Sequence, residues 1–195
     1  MKTVLFDFDG TLTTRDTLRP LAHYLAEIKK ERLKLFFFYL LLILYKLNLI
    51  DDHQLKQKFL TIFLNKESLT NVKSIVKCFL ADKLESLINL PAFSKLKEHL
   101  SMGDRVYLVS ANFDFFLEPL IEKWKLSGLI STETEKQNTC LTGKIIGPTC
   151  KGKYKVEKVV KKFGAAAMID MVVYGDNEDD CLLQNVGTGI NLSKP

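Results

Sequence analysis

The sequence predicts an α/β fold built on a parallel sheet, with a block of helices inserted after the first strand. Three observations predict it. Short apolar runs bounded by turn residues recur at 4–8, 105–109, 171–174 and 189–192, a pattern of buried strands. Segments with helical periodicity lie between the later runs, and such alternation favours parallel strands joined by helices. Residues 15–88, in contrast, carry helical patterns and no strand-like run.

The elements follow in order. The run at 4–8 ends where the acids Asp7 and Asp9 begin. Residues 17–31 read as a helix that Asp16 or Thr17 can cap. Residues 32–47 continue as a very apolar helix, Asp51 or Asp52 can cap a third that runs to about Leu64, and a fourth covers 68–88. Pro91 marks the start of an amphipathic helix ending near Leu100. A strand at 105–109 and a helix at 113–125 come next. Residues 129–146 alternate in a strand-like way around Thr142-Gly143, which predicts a hairpin there. A helix at 154–163, a strand at 171–174, a short helix at 178–185 and a strand at 189–192 complete the chain. The expected division is a core of 1–14 and 89–195 with 15–88 as a helical subdomain. In open parallel sheets, ligands sit at the carboxyl ends of the strands. The polar clusters fall at those ends: Asp7 with Asp9, Ser110 with Asn112, and Asp176 with Asp180.

Composition narrows the classes of function. The 195 residues are 47% hydrophobic and 26% charged, enough apolar material for a core and too much for a disordered chain. The net charge of +5 suits anionic ligands or a membrane surface. No basic stripe interleaves with aromatics, so nucleic acid is not an expected partner. Cys78, Cys140, Cys150 and Cys181 form no Cys-x-x-Cys pair, and His23, His53 and His99 are isolated, so reduced thiols in the cytoplasm are expected rather than a disulfide framework or a zinc site. The N-terminus does not read as a signal peptide, because acids interrupt its apolar run.

Four constellations carry chemistry. In Asp7-Phe8-Asp9-Gly10-Thr11, two carboxylates two residues apart follow a strand, and Gly10 permits the turn that brings them into one site. A carboxylate can attack phosphorus and split one hard step into two, while repulsion pushes the two pKa values apart. An acidic turn without chemistry is the plainer alternative. In Tyr174-Gly175-Asp176-Asn177-Glu178-Asp179-Asp180, four acids in five positions call for a cation or strong donors, although acids also suit a solvated helix start. In Val109-Ser110-Ala111-Asn112, a hydroxyl and successive backbone N–H groups at a helix mouth can bind phosphate oxygens, or simply cap the helix. In Cys150-Lys151-Gly152-Lys153-Tyr154-Lys155, a lysine can neutralise phosphate charge.

Together, these motifs resemble in order and placement the haloacid dehalogenase-like phosphatases, within them the phosphoserine-phosphatase-like branch called subfamily IB. The resemblance implies a Rossmann-like core with a helical cap inserted after the first strand. It implies Asp7 as nucleophile and Asp9 as general acid/base, with magnesium held by Asp7, Asp176 and the Asp9 carbonyl and supported by Asp180. Thr11, Ser110, Ala111 and Asn112 are the implied phosphate ligands. Cys150-x-Gly152-x-x-Lys155 points to Lys155 as the phosphate lysine, with Lys151 and Lys153 as rivals. Asp16 stands where relatives often carry an acid near the substrate. Asn177 replaces a small residue common in the fourth motif.

The expected activity is therefore a Mg2+-dependent hydrolysis of a small or amphiphilic phosphate monoester through an aspartyl-phosphate. The alternatives are a membrane-associated lipid phosphate phosphatase of the phosphatidylglycerophosphate type, a phosphotransferase, and, last, a non-catalytic binding protein. Residues 35–45 are uncharged between Lys34 and Lys46. They are too short to span a bilayer, which takes about 20 apolar residues. They read as the buried centre of the cap or as a membrane-surface contact that would make the protein peripheral.

Overall fold

The computed structural model describes residues 1–166, 171–176 and 188–191. Its centre is β1 (Thr3–Phe6), whose four residues are all buried. Such a strand must be covered on both faces. Val4 and Phe6 enter the larger apolar cluster, while Leu5 points to the other face with Val109, Ile130, Val159, Met171 and Val173.

Around β1 the sheet has six strands in the order β4-β3-β2-β1-β5-β6. These are β2 (Arg105–Phe113), β3 (Gly128–Gln137), β4 (Cys140–Ile146), β5 (Val172–Gly175) and β6 (Thr188–Asn191). β1 pairs in parallel with β2 and β5, β2 with β3, and β5 with β6, while β4 is antiparallel to β3. The predicted parallel α/β sheet is therefore present. The carboxyl end of β1 lies between those of β2 and β5, at the middle of the sheet.

The helical insert is α1 (Leu18–Ile28), α2 (Arg32–Lys46), α3 (Asp52–Phe63) and α4 (Leu69–Leu87). The chain enters and leaves it side by side. Thr14 N–H donates to Leu87 O at 2.8 Å, and Asn89 N–H to Leu12 O at 2.9 Å. Local chemistry starts three of the four helices, α2 having no side-chain cap. Asp16 accepts from Leu18 N–H at 2.8 Å. Asp51, not Asp52, caps α3 through a reciprocal box with Gln54. Ser68 accepts from Asn71 N–H to open α4. The insert joins the rest of the fold through aromatic rings: Phe59 stacks on Phe113 of β2 at 5.8 Å, and Phe79 meets Phe116, on the helix that follows β2, at 5.7 Å. The remaining helices are α5 (Leu90–Ser101), α6 (Asp114–Lys123) and α7 (Lys153–Phe163).

Two expectations need correction. The strand expected at 105–109 runs on to Phe113, with a register shift against β3 between Val109 and Phe113. Ser110, Ala111 and Asn112 therefore sit on a strand end rather than in a helix-start loop. The hairpin turns at Asn138-Thr139, not at Thr142-Gly143. Asn138 takes the left-handed conformation (φ 55°), which Asn tolerates better than most residues. Gly143 lies inside β4, where a Cβ would stand 3.3 Å from Thr61 Cα. It serves a close approach of α3 to the sheet, a second use of glycine in strands. The helix expected at 178–185 lies outside the described residues.

Candidate active site

Asp7 follows β1 directly, and its N–H donates to Tyr174 O on β5 at 3.0 Å. Its side chain is 6% exposed and that of Lys155 3%, and Lys155 Nζ donates to Asp7 Oδ1 at 3.0 Å. A buried charge is costly unless paired, so the pairing fixes both side chains. Lys155 stands in the first turn of α7, whose start follows Gly152. Of the three candidate lysines, Lys155 reaches Asp7. Lys151 lies at the rim, with its Nζ donating to Tyr45 Oη at 3.0 Å. Lys153 is exposed and sits over the ring of Tyr154.

Asp9 sits in a polar cradle. Its Oδ1 accepts from Thr17 N–H at 2.8 Å and from Thr17 Oγ1 at 2.6 Å, and its Oδ2 accepts from Asn112 Nδ2 at 2.9 Å. Asn112 Nδ2 also donates to Thr17 Oγ1 at 2.8 Å. Burial, together with the neighbouring Asp16 and Asp7, pushes the Asp9 carboxyl up to about 7 against the pull of the Thr17 hydrogen bonds. An acid poised near neutrality is suited to moving a proton in either direction. The cradle explains Asn112, whose amide positions Asp9. Thr17 was legible in sequence only as a helix cap. Its spacing from Asp9 offered no further signal, because the contact depends on how α1 returns over the turn.

Asp176 follows β5 and closes on the turn after β1. Thr11 Oγ1 donates to Asp176 Oδ1 at 3.4 Å. Thr11 is fully buried, so its hydroxyl meets this acid inside the protein. Gly10 has φ +86°, and a Cβ there would overlap Asp176 Oδ2 and lie 2.9 Å from its Cγ. Glycine is what lets the acid approach the backbone. Asp7 and Asp176 present hard oxygen donors of the kind magnesium takes. Among the described residues no three acidic, His or Cys side chains form a cage. Magnesium is commonly held by one or two carboxylates, with phosphate and water completing its shell. Asp180 and Asn177 lie outside the described residues.

Asp7, Asp9, Lys155, Ser110, Ala111 and Asn112 line one cavity of about 140 Å³. Ser110 is 1% exposed, and its Oγ accepts from Asn112 N–H at 3.2 Å. The insert supplies the facing wall through Asp16, Leu18, Asp52 and Lys56. Lys56 is buried and pairs with Asp52 at 2.9 Å. Asp16, Leu18, Asp52, Lys56 and Lys151 also border a wider vestibule of about 520 Å³. There Arg15, Arg19 and Lys46 add positive charge, and Leu42, Tyr45 and Leu55 an apolar wall.

Comparison with known proteins places the family and the fold. Residues 4–183 match the family model of haloacid dehalogenase-like hydrolases. No curated protein matches the sequence. Among solved structures, a protein of unknown function from Bordetella pertussis Tohama I superposes with a TM-score of 0.87 at 23% identity, covering 100% of this chain and 92% of that one. A substrate-bound phosphoserine phosphatase gives 0.66 at 21% identity, with 100% and 87% coverage. A phosphoserine phosphatase carrying an analogue of its phospho-aspartyl intermediate gives 0.64 at 21%, with 100% and 88%. At these identities the likeness is one of fold.

Proposed function

The chain belongs to the haloacid dehalogenase-like hydrolase family, and from that premise we propose that it is a magnesium-dependent phosphomonoester hydrolase working through an aspartyl-phosphate on Asp7. The observation that carries the reading is the convergence, in one cavity, of a buried carboxylate paired with a buried lysine and a second carboxyl raised to about 7. A phosphatase of the same fold carries a phospho-aspartyl analogue, which supports the same chemistry here.

In the first step an Asp7 oxygen attacks phosphorus and the bond to the leaving oxygen breaks. Asp9 gives that oxygen its proton. In the second step the Asp9 carboxylate takes a proton from water, the water oxygen attacks phosphorus, and the bond to Asp7 breaks to release phosphate. Lys155 and Ser110 hold the phosphate oxygens, helped by N–H groups at Ala111 and Asn112. Asp7, Asp176 and the Asp9 carbonyl would hold magnesium, with Asp180 in support, and the ion would offset charge between nucleophile and phosphate. Thr11 acts through Asp176 and Asn112 through Asp9. The helical insert, 15–88, acts as a cap that shapes the pocket and limits water.

The vestibule favours an amphiphilic monoester. Its cations suit an anionic headgroup, and Leu42, Tyr45 and Leu55 suit an apolar body. Asp16 stands where the leaving group would pass. The test is turnover of a generic aryl phosphate with magnesium by wild type and Asp7→Asn. Activity confined to wild type is expected. Equal activity in both would overturn the mechanism.

A further inference from the structure

α2 is apolar all round, and a helix of that kind is ordinarily buried on every side. This one is not. Only Phe38 and Leu41 are buried. Leu33 is 71% exposed, Phe36 65%, Ile43 54% and Leu47 62%, with Phe37 and Leu40 also exposed. At roughly 100° per residue, these six fall on a single stripe about 120° wide. The stripe therefore faces solvent as a continuous apolar strip, a feature that marks an interaction surface.

Charge indicates what covers it. Residues 32–46 contain Arg32, Lys34 and Lys46 and no acid. Glu31, just before the helix, pairs with Lys34 and leaves the segment net basic. The cations stand at the two ends of the strip, where long basic side chains reach a polar layer while their stems lie along apolar surface. A second copy of the chain is a poor occupant, because pairing α2 with itself in either direction sets cation against cation. Spanning is also excluded by length. Fifteen residues extend about 22 Å against a hydrocarbon core of about 30 Å, and no helix among the described residues is long and apolar enough to cross a membrane. The exposed face of α2, an apolar strip with basic ends whose other side packs on the protein, suits a helix lying in the plane of the headgroups.

We propose that α2 docks the protein on an anionic bilayer surface, with Leu33, Phe36, Phe37, Leu40, Ile43 and Leu47 at the acyl boundary and Arg32, Lys34 and Lys46 among the phosphates. These side chains lie outside the cavity and the vestibule, Lys46 excepted, so docking stands apart from the catalytic reading.

The test is co-flotation of the full chain with vesicles of phosphatidylcholine alone and of phosphatidylcholine mixed with phosphatidylglycerol. Wild type is expected to float with the mixed vesicles, and less so at high salt, which screens the lysines and arginine. Phe36→Ser with Leu40→Ser removes two large exposed side chains and is expected to lower partitioning roughly tenfold or more. Both positions are solvent-facing, so its melting curve and its hydrolysis of a soluble aryl phosphate are expected to match wild type. Arg32→Gln with Lys34→Gln should lose the preference for anionic vesicles. Three results would overturn the proposal: no flotation of wild type, equal flotation of the Phe36/Leu40 variant, or a stripe-dependent dimer in sedimentation without lipid.

Discussion

Replacing Gly10 by alanine separates folding from catalysis. The new Cβ would overlap Asp176 Oδ2, stand 2.9 Å from Cγ and 3.1 Å from Oδ1. The Asp176 carboxylate must then retreat by about 1 Å, and a misplacement of that size near reacting groups costs roughly a hundredfold in rate. The backbone also suffers, since φ +86° costs an L-residue about 1–2 kcal/mol. In a chain of this length that is a fall in Tm of a few degrees, at about 2–4 °C per kcal/mol. Gly103→Ala provides the comparison. Gly103 has φ +75°, and a Cβ added there would meet nothing within 4 Å, so it carries the backbone cost alone. Aryl phosphate turnover, titrated with magnesium, is the assay, with melting curves beside it. Gly10→Ala is expected to lose about a hundredfold in kcat/KM and to need more magnesium, while Gly103→Ala loses stability only. If both retain wild-type turnover, the approach of Asp176 to Gly10 has no catalytic importance.

Two further outcomes follow from the same geometry. Thr17→Val removes the 2.6 Å hydroxyl donor to Asp9, which favours the ionised carboxyl. Its loss raises the Asp9 pKa, so the ionisation of Asp9 in the pH profile of kcat/KM should move to higher pH, with turnover reduced roughly tenfold; an unmoved or lowered ionisation would contradict the cradle. Burial pushes the Cys150 thiol up to about 11, the Lys155 and Lys158 charges pulling it only partly back. About one part in a thousand is then thiolate at pH 8, so peptide mapping after native alkylation should find Cys150 unlabelled and the exposed Cys78 labelled.

Much of the fold could be read from the chain because its signals were local. β1 shows as a short apolar run ending in acids, and Asp51 is one of the two caps the sequence offers at the start of α3. Gly143 misled because glycine permits both a turn and a close approach, and only the packing of Thr61 decides between them. The extension of β2 through Asn112 was hidden because its residues carry polar side chains required by the site rather than by the strand. Asp7, Asp9 and Asp176 were legible as acids at strand ends. Thr17 and Lys56 were not, since each meets the site across the insert. The exposure of α2 was equally hidden: a segment apolar on every side has no periodicity to say which face is covered.

If phosphate is carried on Asp7, acid-quench trapping should catch it there. Wild type mixed with an aryl phosphate and magnesium is quenched in acid during turnover, digested and mapped by mass spectrometry. A phosphoryl group is expected on the peptide bearing Asp7, lost on treatment with hydroxylamine and missing from Asp7→Asn. Turnover by wild type with the phosphoryl group on another residue would contradict it, as would undiminished turnover by Asp7→Asn.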